Sequence, residues 1–582
     1  MCGIAGIVVQ HAPHFQPHLQ RMVHALQHRG PDAHASLTFD DALLGHARLS
    51  IVDLAGGSQP MHSALDPNVA VTFNGEIYGY QQLRSQFHDY PFRTTSDTEV
   101  LLAMYHRHRE PIAQRAAHDG LPGMFAFALW DQNTRTLFAA RDRFGEKPFY
   151  FATFEHEGTR GLLFASELKA LLASGLIRPQ LNPDALSHFL QYLYVHPHQT
   201  IYQNISTLPP GHRLQFHDGE LLIERYWQLP PTQDIHIHAA VEQFRHLMKQ
   251  AVQRQLVADV PVGAFLSGGL DSATVVALAA ELTKNGSGLQ TFAFRFAAGG
   301  TNAAWGGEPG LDETPYAHAV AQMHGTTHHV LADDDAQLGP LLQEMADIYD
   351  EPFADSSNIP TYMISRLARR HMKVVITGDG GDELLAGYDW YRPLIDGRNV
   401  PERRLKAAQY FSDDTLRKFG LHPSRMPKAI DRHSNSVDDA MRMDLLDYMP
   451  GDILVKIDRA SMAHGLELRA PFLDVDLASF LISLPARLKV DDAESKIILR
   501  RAFSDLWPAS VKNRSKQGFG APVAGWLQRP DVAALAAPRL HDPHHPLFQL
   551  IPFDACRIAV ERRNFQAWAL LVLALWLERH PI

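Results

Sequence analysis

Short runs of apolar residues, separated by turn residues, occupy the first part of the chain. Such runs are typical of β-strands, and they lie at 3–9, 42–51, 69–73, 125–130, 136–140 and 149–154. Apolar residues recur with helical spacing at 17–27 and 98–109. This order predicts an α+β domain in which helices cover stacked β-sheets.

The pattern changes further along the chain. Continuous apolar runs at 260–266, 290–296 and 374–377 alternate with helical stretches. Because buried parallel strands carry apolar residues on both faces, this alternation predicts a doubly wound parallel sheet of the α/β class. From about residue 438 onward the pattern is mostly helical, which predicts a helical C-terminal part.

Proline-rich segments mark the change between the two patterns. They are Pro209-Pro210-Gly211 and Leu229-Pro230-Pro231. We therefore predict two domains, at 2–210 and 236–582. The segment 299–310 shows no periodicity, which predicts a surface loop.

The composition indicates a folded protein and narrows its surroundings. The 582 residues are 45% hydrophobic and 20% charged, which excludes a disordered or collagen-like chain. The net charge of −10 provides no general attraction to nucleic acid or anionic membranes. No secretory leader pattern is visible, and the apolar run 567–577 is shorter than the ~20 residues of a membrane span. We expect a cytoplasmic protein that binds neither nucleic acid nor membrane.

Cysteine and histidine usage agrees with that expectation. The cysteines are Cys2 and Cys556, and this sparse usage favours a reducing compartment and disfavours a structural zinc site. The 33 histidines are scattered along the chain without the spacing of metal ligands.

Cys2 is a candidate nucleophile because it directly follows Met1. Removal of Met1 would leave a free α-amine, which titrates near ~8 and can accept the thiol proton. Gly3 beside it allows a substrate to approach the backbone closely. Taken alone, Cys2 is explained as well by a chance cysteine in a strand, so the hypothesis depends on its neighbours.

Three further sites offer the groups that such a nucleophile needs. Asn74 and Gly75 offer a side-chain amide and a backbone N–H, the two donors of an oxyanion hole. Arg48, at the end of a predicted strand, can bind a carboxylate through two parallel hydrogen bonds. Asp97 can supply an anion for a substrate ammonium.

These residues together resemble the class II glutamine amidotransferase domain, an N-terminal-nucleophile hydrolase. Within that class the chain is most similar to the glutamine-dependent asparagine synthetase family. The resemblance implies that Cys2 attacks the side-chain amide of glutamine and forms a glutamyl thioester. It also implies that Asn74 and Gly75 hold the oxyanion.

The same resemblance implies the ligands of glutamine. Arg48 would bind its α-carboxylate, while Glu76 and Asp97 would bind its α-ammonium. The segment 28–32, His-Arg-Gly-Pro-Asp, resembles the loop that closes over glutamine in this family.

A second glycine-rich turn, Ser-Gly-Gly-Leu-Asp-Ser at 267–272, follows a predicted strand and opens a predicted helix. Its backbone N–H groups and the positive helix end form an anion cradle. No Gly-Lys-Ser/Thr follows, so this is not a Walker A loop. It resembles the pyrophosphate loop of ATP pyrophosphatases, which cleave ATP to AMP and pyrophosphate. The ATP and pyrophosphate ligands that this implies are Leu266, Ser267, Gly268, Gly269, Asp271, Ser272, Phe292, Thr377 and Gly378. Leu266 and Phe292 would pack against adenine, although core packing explains them equally well.

The segment 377–383, Thr-Gly-Asp-Gly-Gly-Asp-Glu, ends a predicted strand where ligands of open α/β sheets bind. Acidic residues among glycines would be costly unless cations or donors meet them. Asp271 and Asp382 are therefore candidate ligands of Mg²⁺, which prefers hard oxygen atoms. Asp379 is a candidate catalytic residue, and many family members have Glu at its position.

Lys496 opens a predicted basic helix and matches the family's catalytic lysine. A lysine there can stabilise charge on the α-phosphate as an acyl-adenylate forms and breaks. Other segments match family motifs without an assigned role, and they lie at 141–148, 165–169, 351–355, 456–463, 467–474 and 516–519.

The resemblance implies a two-domain, ATP-dependent amidoligase that uses ATP and Mg²⁺. Glutamine is hydrolysed at Cys2, ammonia passes through an internal channel, and a carboxylate activated to an acyl-AMP accepts it. Aspartate is the default acceptor and asparagine the default product. Family members often form homodimers through the N-terminal domain.

Three alternatives remain open. The same mechanism can serve another carboxylate, such as a sugar acid, a cell-wall precursor or a secondary metabolite. Relatives that close rings need no ammonia and often lose the cysteine, so the intact Cys2, Arg48, Asn74 and Asp97 argue against that activity. A scaffold that only binds nucleotide would have little use for two complete sites.

Overall fold

The computed structural model describes residues 1–108, 121–283, 288–295, 313–332, 337–395, 408–424, 436–514 and 521–580. The surface loop predicted at 299–310 and the family motif at 516–519 lie outside the described residues.

The N-terminal part contains two six-stranded antiparallel sheets. Sheet one has the order β10-β8-β9-β1-β3-β2, and sheet two has the order β12-β11-β7-β6-β5-β4. The strands are β1 Gly3–Val8, β2 Ala33–Thr38, β3 Ala42–Arg48, β4 Met61–His62, β5 Val69–Ile77, β6 Gly123–Asp131, β7 Thr136–Arg141, β8 Tyr150–His156, β9 Thr159–Ala165, β10 Ser206–Thr207, β11 His212–His217 and β12 Glu220–Arg225.

A hydrophobic core lies between the two sheets. Ile4 and Leu44 of sheet one pack in one cluster with Trp130 of sheet two, and all three are buried. Alternate residues of a strand face opposite sides of its sheet, so the outer face of sheet one packs on the helix Gln16–Ala25 and that of sheet two on Thr98–His108. The four layers confirm the predicted α+β architecture.

The sequence pattern located half of the twelve strands in these two sheets. Each of the six apolar runs overlaps a strand, and both predicted helices are present. It missed β2, β4 and β9 to β12, of which β9 and β11 lie inside the sheets. Strand β2 lies at an edge of sheet one with mostly exposed side chains. A strand that buries neither face has no apolar alternation to detect.

The C-terminal part is built on a five-stranded sheet in which all pairs are parallel. Its order is β15-β14-β13-β16-β17, which confirms the predicted doubly wound sheet. The strands are β13 Val262–Phe265, β14 Gln290–Arg295, β15 Thr327–Ala332, β16 Val374–Ile376 and β17 Glu467–Arg469.

The strand order determines where this sheet can bind a ligand. From β13 the chain runs outward through β14 and β15, then returns to add β16 on the other side of β13. The crevice beyond the carboxyl ends of β13 and β16 is therefore the topological switch point, where open α/β sheets bind their ligands.

Helices flank the three sheets. The short helices of the N-terminal part, besides those above, are Tyr80–Arg84, Leu168–Ala173 and Pro183–Tyr192. Those that follow are Ile237–Gln255, Leu270–Leu282, Thr314–His324, Leu338–Ile348, Asn358–Arg369, Gly381–Leu384, Asp413–Lys418, Val437–Leu446, Leu454–Met462, Val475–Ser483, Ile497–Phe503, Ala509–Lys512, Val523–Trp526, Pro530–Leu540, Leu547–Leu550, Phe553–Glu561 and Phe565–Arg579.

The last helix is buried, as its apolar sequence predicts. Its Trp568 and Trp576 indole groups donate hydrogen bonds to the backbone oxygens of Ala354 and Asp350. Within the described ranges, each helix is too short or too polar to cross a lipid bilayer.

Sheet two extends beyond the domain end predicted at residue 210. Strands β11 and β12 follow that residue and join the sheet through β7. The next helix begins at Ile237, close to the predicted start of the second domain at 236.

Leu44→Ala should destabilise the N-terminal part. Leu44 is fully buried between the sheets, and removing a buried leucine side chain costs about 2–5 kcal/mol. We expect a lower midpoint of urea unfolding. Leu222→Ala on β12 is the matched control, because that side chain is 51% exposed. Equal midpoints for the two variants would contradict the sheet packing described here.

Candidate active sites

Cys2 directly precedes the strand β1 and is buried. Its backbone N–H donates to Asn74 Oδ1 at 2.9 Å, and its Sγ lies 3.9 Å from the backbone oxygen of Leu49. Burial raises the pKa of the thiol, which disfavours the thiolate. A neighbouring base is therefore needed to activate it.

Asn74 and Gly75 lie side by side on β5, next to Cys2. The Asn74 Nδ2 atom is buried and donates no hydrogen bond to any of the described residues. A buried donor of this kind is costly unless a ligand uses it. Gly75 is required by close packing, because a Cβ there would lie 2.1 Å from the backbone oxygen of Met124.

Arg48 and Asp97 are both held by backbone groups. Arg48, the last residue of β3, donates to the backbone oxygens of Asp53 at 2.6 Å and Leu54 at 3.2 Å. Asp97 accepts from the backbone N–H groups of Ile77 and Thr98, each at 2.9 Å. Burial raises the pKa of the Asp97 carboxyl to about 6. Neither side chain can turn freely.

Glu76 has a partner that the sequence did not indicate. Its Oε1 lies 3.2 Å from the Arg469 Nη2 atom of β17, in the parallel sheet. Burial raises the pKa of the Glu76 carboxyl, while the Arg469 guanidinium opposes that rise. The α-amine of Met1 pairs in turn with Glu467, which also pairs with Arg469. If Glu76 binds the α-ammonium of glutamine, it does so while paired with Arg469.

The segment 28–32 carries a second contact to the C-terminal part. Arg29 is fully buried and donates to the backbone oxygen of Cys2 at 3.1 Å. Its guanidinium also pairs with Glu167 at 2.7 Å and with both carboxylate oxygens of Asp458. The backbone of the candidate nucleophile is thereby tied to the helix Leu454–Met462.

The second site forms around Lys496 at the switch point of the parallel sheet. Its Nζ contacts Asp271 and lies 2.6 Å from Asp382 Oδ1. Burial alone would lower the pKa of the amine, but the two carboxylates outweigh it and the pKa is raised. Lys496 also has a left-handed φ of 56°, a strained conformation that is typical of functional sites.

Glycines allow the two loops of this site to touch. A Cβ on Gly381 would lie 2.6 Å from Asp271 Cγ, and one on Gly378 would lie 2.9 Å from the backbone nitrogen of Ser272. Larger residues would push the loops apart. The glycines in 377–383 therefore allow Asp382 and Asp271, which are far apart in sequence, to contact the same lysine.

A cavity of about 380 Å³ opens between these loops, which is a volume typical of sites for small molecules. The residues predicted from the sequence that line it are Leu266, Ser267, Gly268, Gly269, Asp271, Ser272, Thr377, Gly378, Asp379, Asp382 and Lys496. Burial raises the pKa of the Asp379 carboxyl.

Phe292 does not line the cavity, which corrects the expectation that it packs against adenine. Its side chain is fully buried and lies in a core cluster with Ile364 and Ala368 of the helix Asn358–Arg369. The next residues of β14, Ala293 and Phe294, line the cavity instead. The apolar sequence of a strand does not show which of its residues reaches the cavity.

The cavity also has polar residues to which the sequence assigned no role. Lys456, from the family motif at 456–463, donates to Asp355 Oδ2 at 3.1 Å and to Ser357 Oγ at 2.9 Å. Glu383 accepts from the Tyr388 hydroxyl at 2.6 Å. The motifs that contain Lys456 and Asp355 are recognisable in the sequence. They lie far apart along the chain, so the sequence does not show that these two residues meet.

The donor chemistry fits Mg²⁺ only in the presence of phosphate. Asp271 and Asp382 offer hard carboxylate oxygens on the same side of the cavity. Among the described residues, no group of three or more His, Cys, Asp or Glu side chains could hold a metal ion. Mg²⁺ is commonly bound by one or two carboxylates together with substrate phosphates, which matches this pair.

Comparisons with known proteins cover both parts of the chain. Residues 243–578 match the family model described as asparagine synthase, and residues 1–227 match that of a glutamine amidotransferase domain. Glutamine-hydrolysing asparagine synthetase 1 of Bacillus subtilis is 30% identical, over 91% of this chain and 88% of its own. A Mycobacterium tuberculosis protein is 32% identical, over 99% of this chain and 97% of its own. The amidase chyE of Penicillium rubens is 27% identical, over 90% of this chain and 89% of its own.

Proposed function

We propose, from the premise that the chain belongs to the glutamine-hydrolysing asparagine synthetase family, that it couples two reactions. The N-terminal part releases ammonia from glutamine. The C-terminal part activates a carboxylate with ATP and transfers the ammonia to it. The observation that carries the second half is Lys496 held between Asp271 and Asp382 at the switch point.

The first reaction begins after removal of Met1. The freed α-amine of Cys2 takes the thiol proton, and the sulfur attacks the amide carbon of glutamine. Asn74 Nδ2 and the Gly75 N–H stabilise the negative oxygen. The C–N bond then breaks, the nitrogen takes up the proton and ammonia leaves. Water hydrolyses the thioester to glutamate.

The glutamine ligands follow from charge and position. Arg48 binds the α-carboxylate, while Asp97 and Glu76 bind the α-ammonium. Because backbone hydrogen bonds hold Arg48 and Asp97 in advance, little conformational freedom is lost when glutamine binds.

The second reaction is adenylation followed by amidation. A carboxylate oxygen of the acceptor attacks the α-phosphate of ATP, and pyrophosphate leaves. The N–H groups of the loop 267–272 bind the phosphates, and Lys496 compensates the charge that develops. Mg²⁺ held by Asp271 and Asp382 would neutralise phosphate charge. Ammonia then attacks the acyl carbon, and AMP leaves.

Aspartate is the acceptor that we propose, in keeping with the name of the Bacillus subtilis relative. A different carboxylate is the second candidate. Asp379 favours it, because it replaces the Glu of many family members with a shorter side chain inside the cavity. The Penicillium rubens relative, named an amidase, is compatible with variation of the acceptor within the family.

A screen of pyrophosphate release over carboxylates, with ATP, Mg²⁺ and ammonium, tests the acceptor. Release with aspartate above the rate without acceptor supports asparagine synthesis. No release with aspartate but release with another acid supports the second candidate. Formation of ADP and phosphate in place of AMP and pyrophosphate would contradict the adenylate mechanism.

Cys2→Ala should abolish glutamine-dependent amidation and leave ammonia-dependent amidation within about twofold of the unmodified protein. The reason is that the thiol is needed only to release ammonia. The measurement is product formation with glutamine and, separately, with ammonium chloride. Equal loss of both activities would contradict two separate sites.

Asp271→Asn should reduce pyrophosphate release by about a hundredfold or more, since it removes a carboxylate from Lys496 and from the proposed Mg²⁺ site. Glutamine hydrolysis should persist. The glutaminase rate and the pyrophosphate rate are measured on the same preparation. Persistence of pyrophosphate release would contradict the assigned role of Asp271.

The KM for glutamine should rise as the pH falls through about 6. Burial raises the pKa of Asp97 to about 6, so below that pH the neutral acid prevails and no longer attracts the α-ammonium. Asp97→Asn should raise KM at pH 7 and remove the pH dependence, because an amide carries no charge that titrates. A KM that stays constant between pH 7 and pH 5 would argue against Asp97 as a ligand.

A further inference from the structure

We propose that Asp259, in the C-terminal part, is a positioning residue for the glutamine site of the N-terminal part. The inference rests on the proposed role of Arg48 in binding the α-carboxylate of glutamine. It adds that the glutamine site is completed by a residue of the domain that carries the other reaction.

The loop 49–57 determines where the Arg48 guanidinium lies. Arg48 donates to the backbone oxygens of Asp53 at 2.6 Å and Leu54 at 3.2 Å. Asp53 has a left-handed φ of 49°, which is sparsely populated outside glycine and must be stabilised by its surroundings. A change in the Asp53 backbone would therefore move both acceptors of Arg48.

The Asp53 side chain joins the loop to the other glutamine ligand. Its Oδ1 accepts from the Gly56 N–H at 2.7 Å, and its Oδ2 accepts from the Thr95 N–H at 2.8 Å. Thr95 lies two residues before Asp97, the proposed ligand of the α-ammonium. Asp53 thus stands between the residues that bind the two ends of the substrate.

Asp259 holds this loop from the opposite side of the domain interface. Its Oδ2 accepts from the Asp53 N–H at 2.7 Å. Its own N–H donates to the backbone oxygen of Ile51 at 3.0 Å. The two hydrogen bonds run in opposite directions and fix the loop immediately before the acceptors of Arg48.

Asp259 is itself attached to a rigid support. Arg469 Nη1 donates to the backbone oxygens of Gln255 at 2.8 Å and Val257 at 2.7 Å, just before Asp259. Arg469 is fully buried on β17. Its backbone oxygen also accepts from the N–H of Thr377, which lines the nucleotide cavity, at 2.8 Å. Arg469 therefore contacts both the segment that carries Asp259, which holds the loop 49–57, and a residue that borders the nucleotide cavity.

The test uses the full chain with Asp259→Ala. The substitution removes the acceptor of the Asp53 N–H, so we expect the KM for glutamine to rise about tenfold while the kcat of glutamine hydrolysis stays within about twofold. Ammonia-dependent pyrophosphate release should not change. Because Asp259 is exposed, the variant should fold, which a thermal unfolding scan verifies.

Two variants separate positioning from a general effect. Asp259→Asn keeps an oxygen that can accept the same hydrogen bond, so its KM should return to within about twofold of the unmodified protein. Asp505→Ala is the matched surface control, because Asp505 pairs with Arg245 inside the C-terminal part. An Asn variant as impaired as the Ala variant would overturn the hydrogen-bond explanation.

Arg48→Ala distinguishes failure of this inference from failure of the proposed function. If Arg48→Ala raises the KM and Asp259→Ala does not, the positioning role of Asp259 is wrong and the glutamine site stands. If neither variant raises the KM, the assignment of the glutamine site is itself wrong. Equal losses of glutamine-dependent and ammonia-dependent activity in Asp259→Ala would indicate only a structural contact.

Discussion

Arg469 is a guanidinium without exposure to solvent, and the relation between the two parts of the protein depends on it. A buried charge is tolerated only when carboxylates and carbonyl oxygens replace its water. Glu467 pairs with it at 2.6 Å on its own strand, and Glu76 pairs with it at 3.2 Å from the other domain. Removing either partner would leave a buried charge poorly compensated. The two domains must therefore dock in the arrangement that places Glu76 beside Arg469.

The two parts that Arg469 joins position their reactive groups in different ways. In the N-terminal part, the stacking of sheet one on sheet two brings Cys2 next to Asn74 and leaves one amide donor available. In the parallel sheet, the switch point brings Asp271 and Asp382 to the same lysine. The first solution depends on how the two sheets stack, and the second depends on strand order. The Arg469 side chain contacts Glu76 in the N-terminal part, and its backbone oxygen contacts Thr377 beside the cavity of the C-terminal part.

The sequence was sufficient where chemistry is local to a motif. Most glycines of the loops 267–272 and 377–383 are explained by close packing or by left-handed φ values, and the structure brings the two loops together. It was insufficient where a role depends on which residue of a strand reaches the cavity. Phe292 is as apolar as a nucleotide-contacting residue would be, yet it lies in the core, while Phe294 on the same face of β14 lines the cavity. The partners of Glu76 and of Arg29 lie hundreds of residues away, and no local pattern predicts such pairs.

We propose that ammonia released from glutamine reaches the activated carboxylate within the protein rather than through the solvent. The most direct test supplies glutamine labelled with ¹⁵N in its side-chain amide, together with ATP, the acceptor that releases pyrophosphate and an excess of unlabelled ammonium chloride. Mass spectrometry then measures the label in the product amide. We predict that most of the product formed at saturating glutamine carries ¹⁵N. Product that is mainly unlabelled, with the label recovered in free ammonium, would contradict internal transfer.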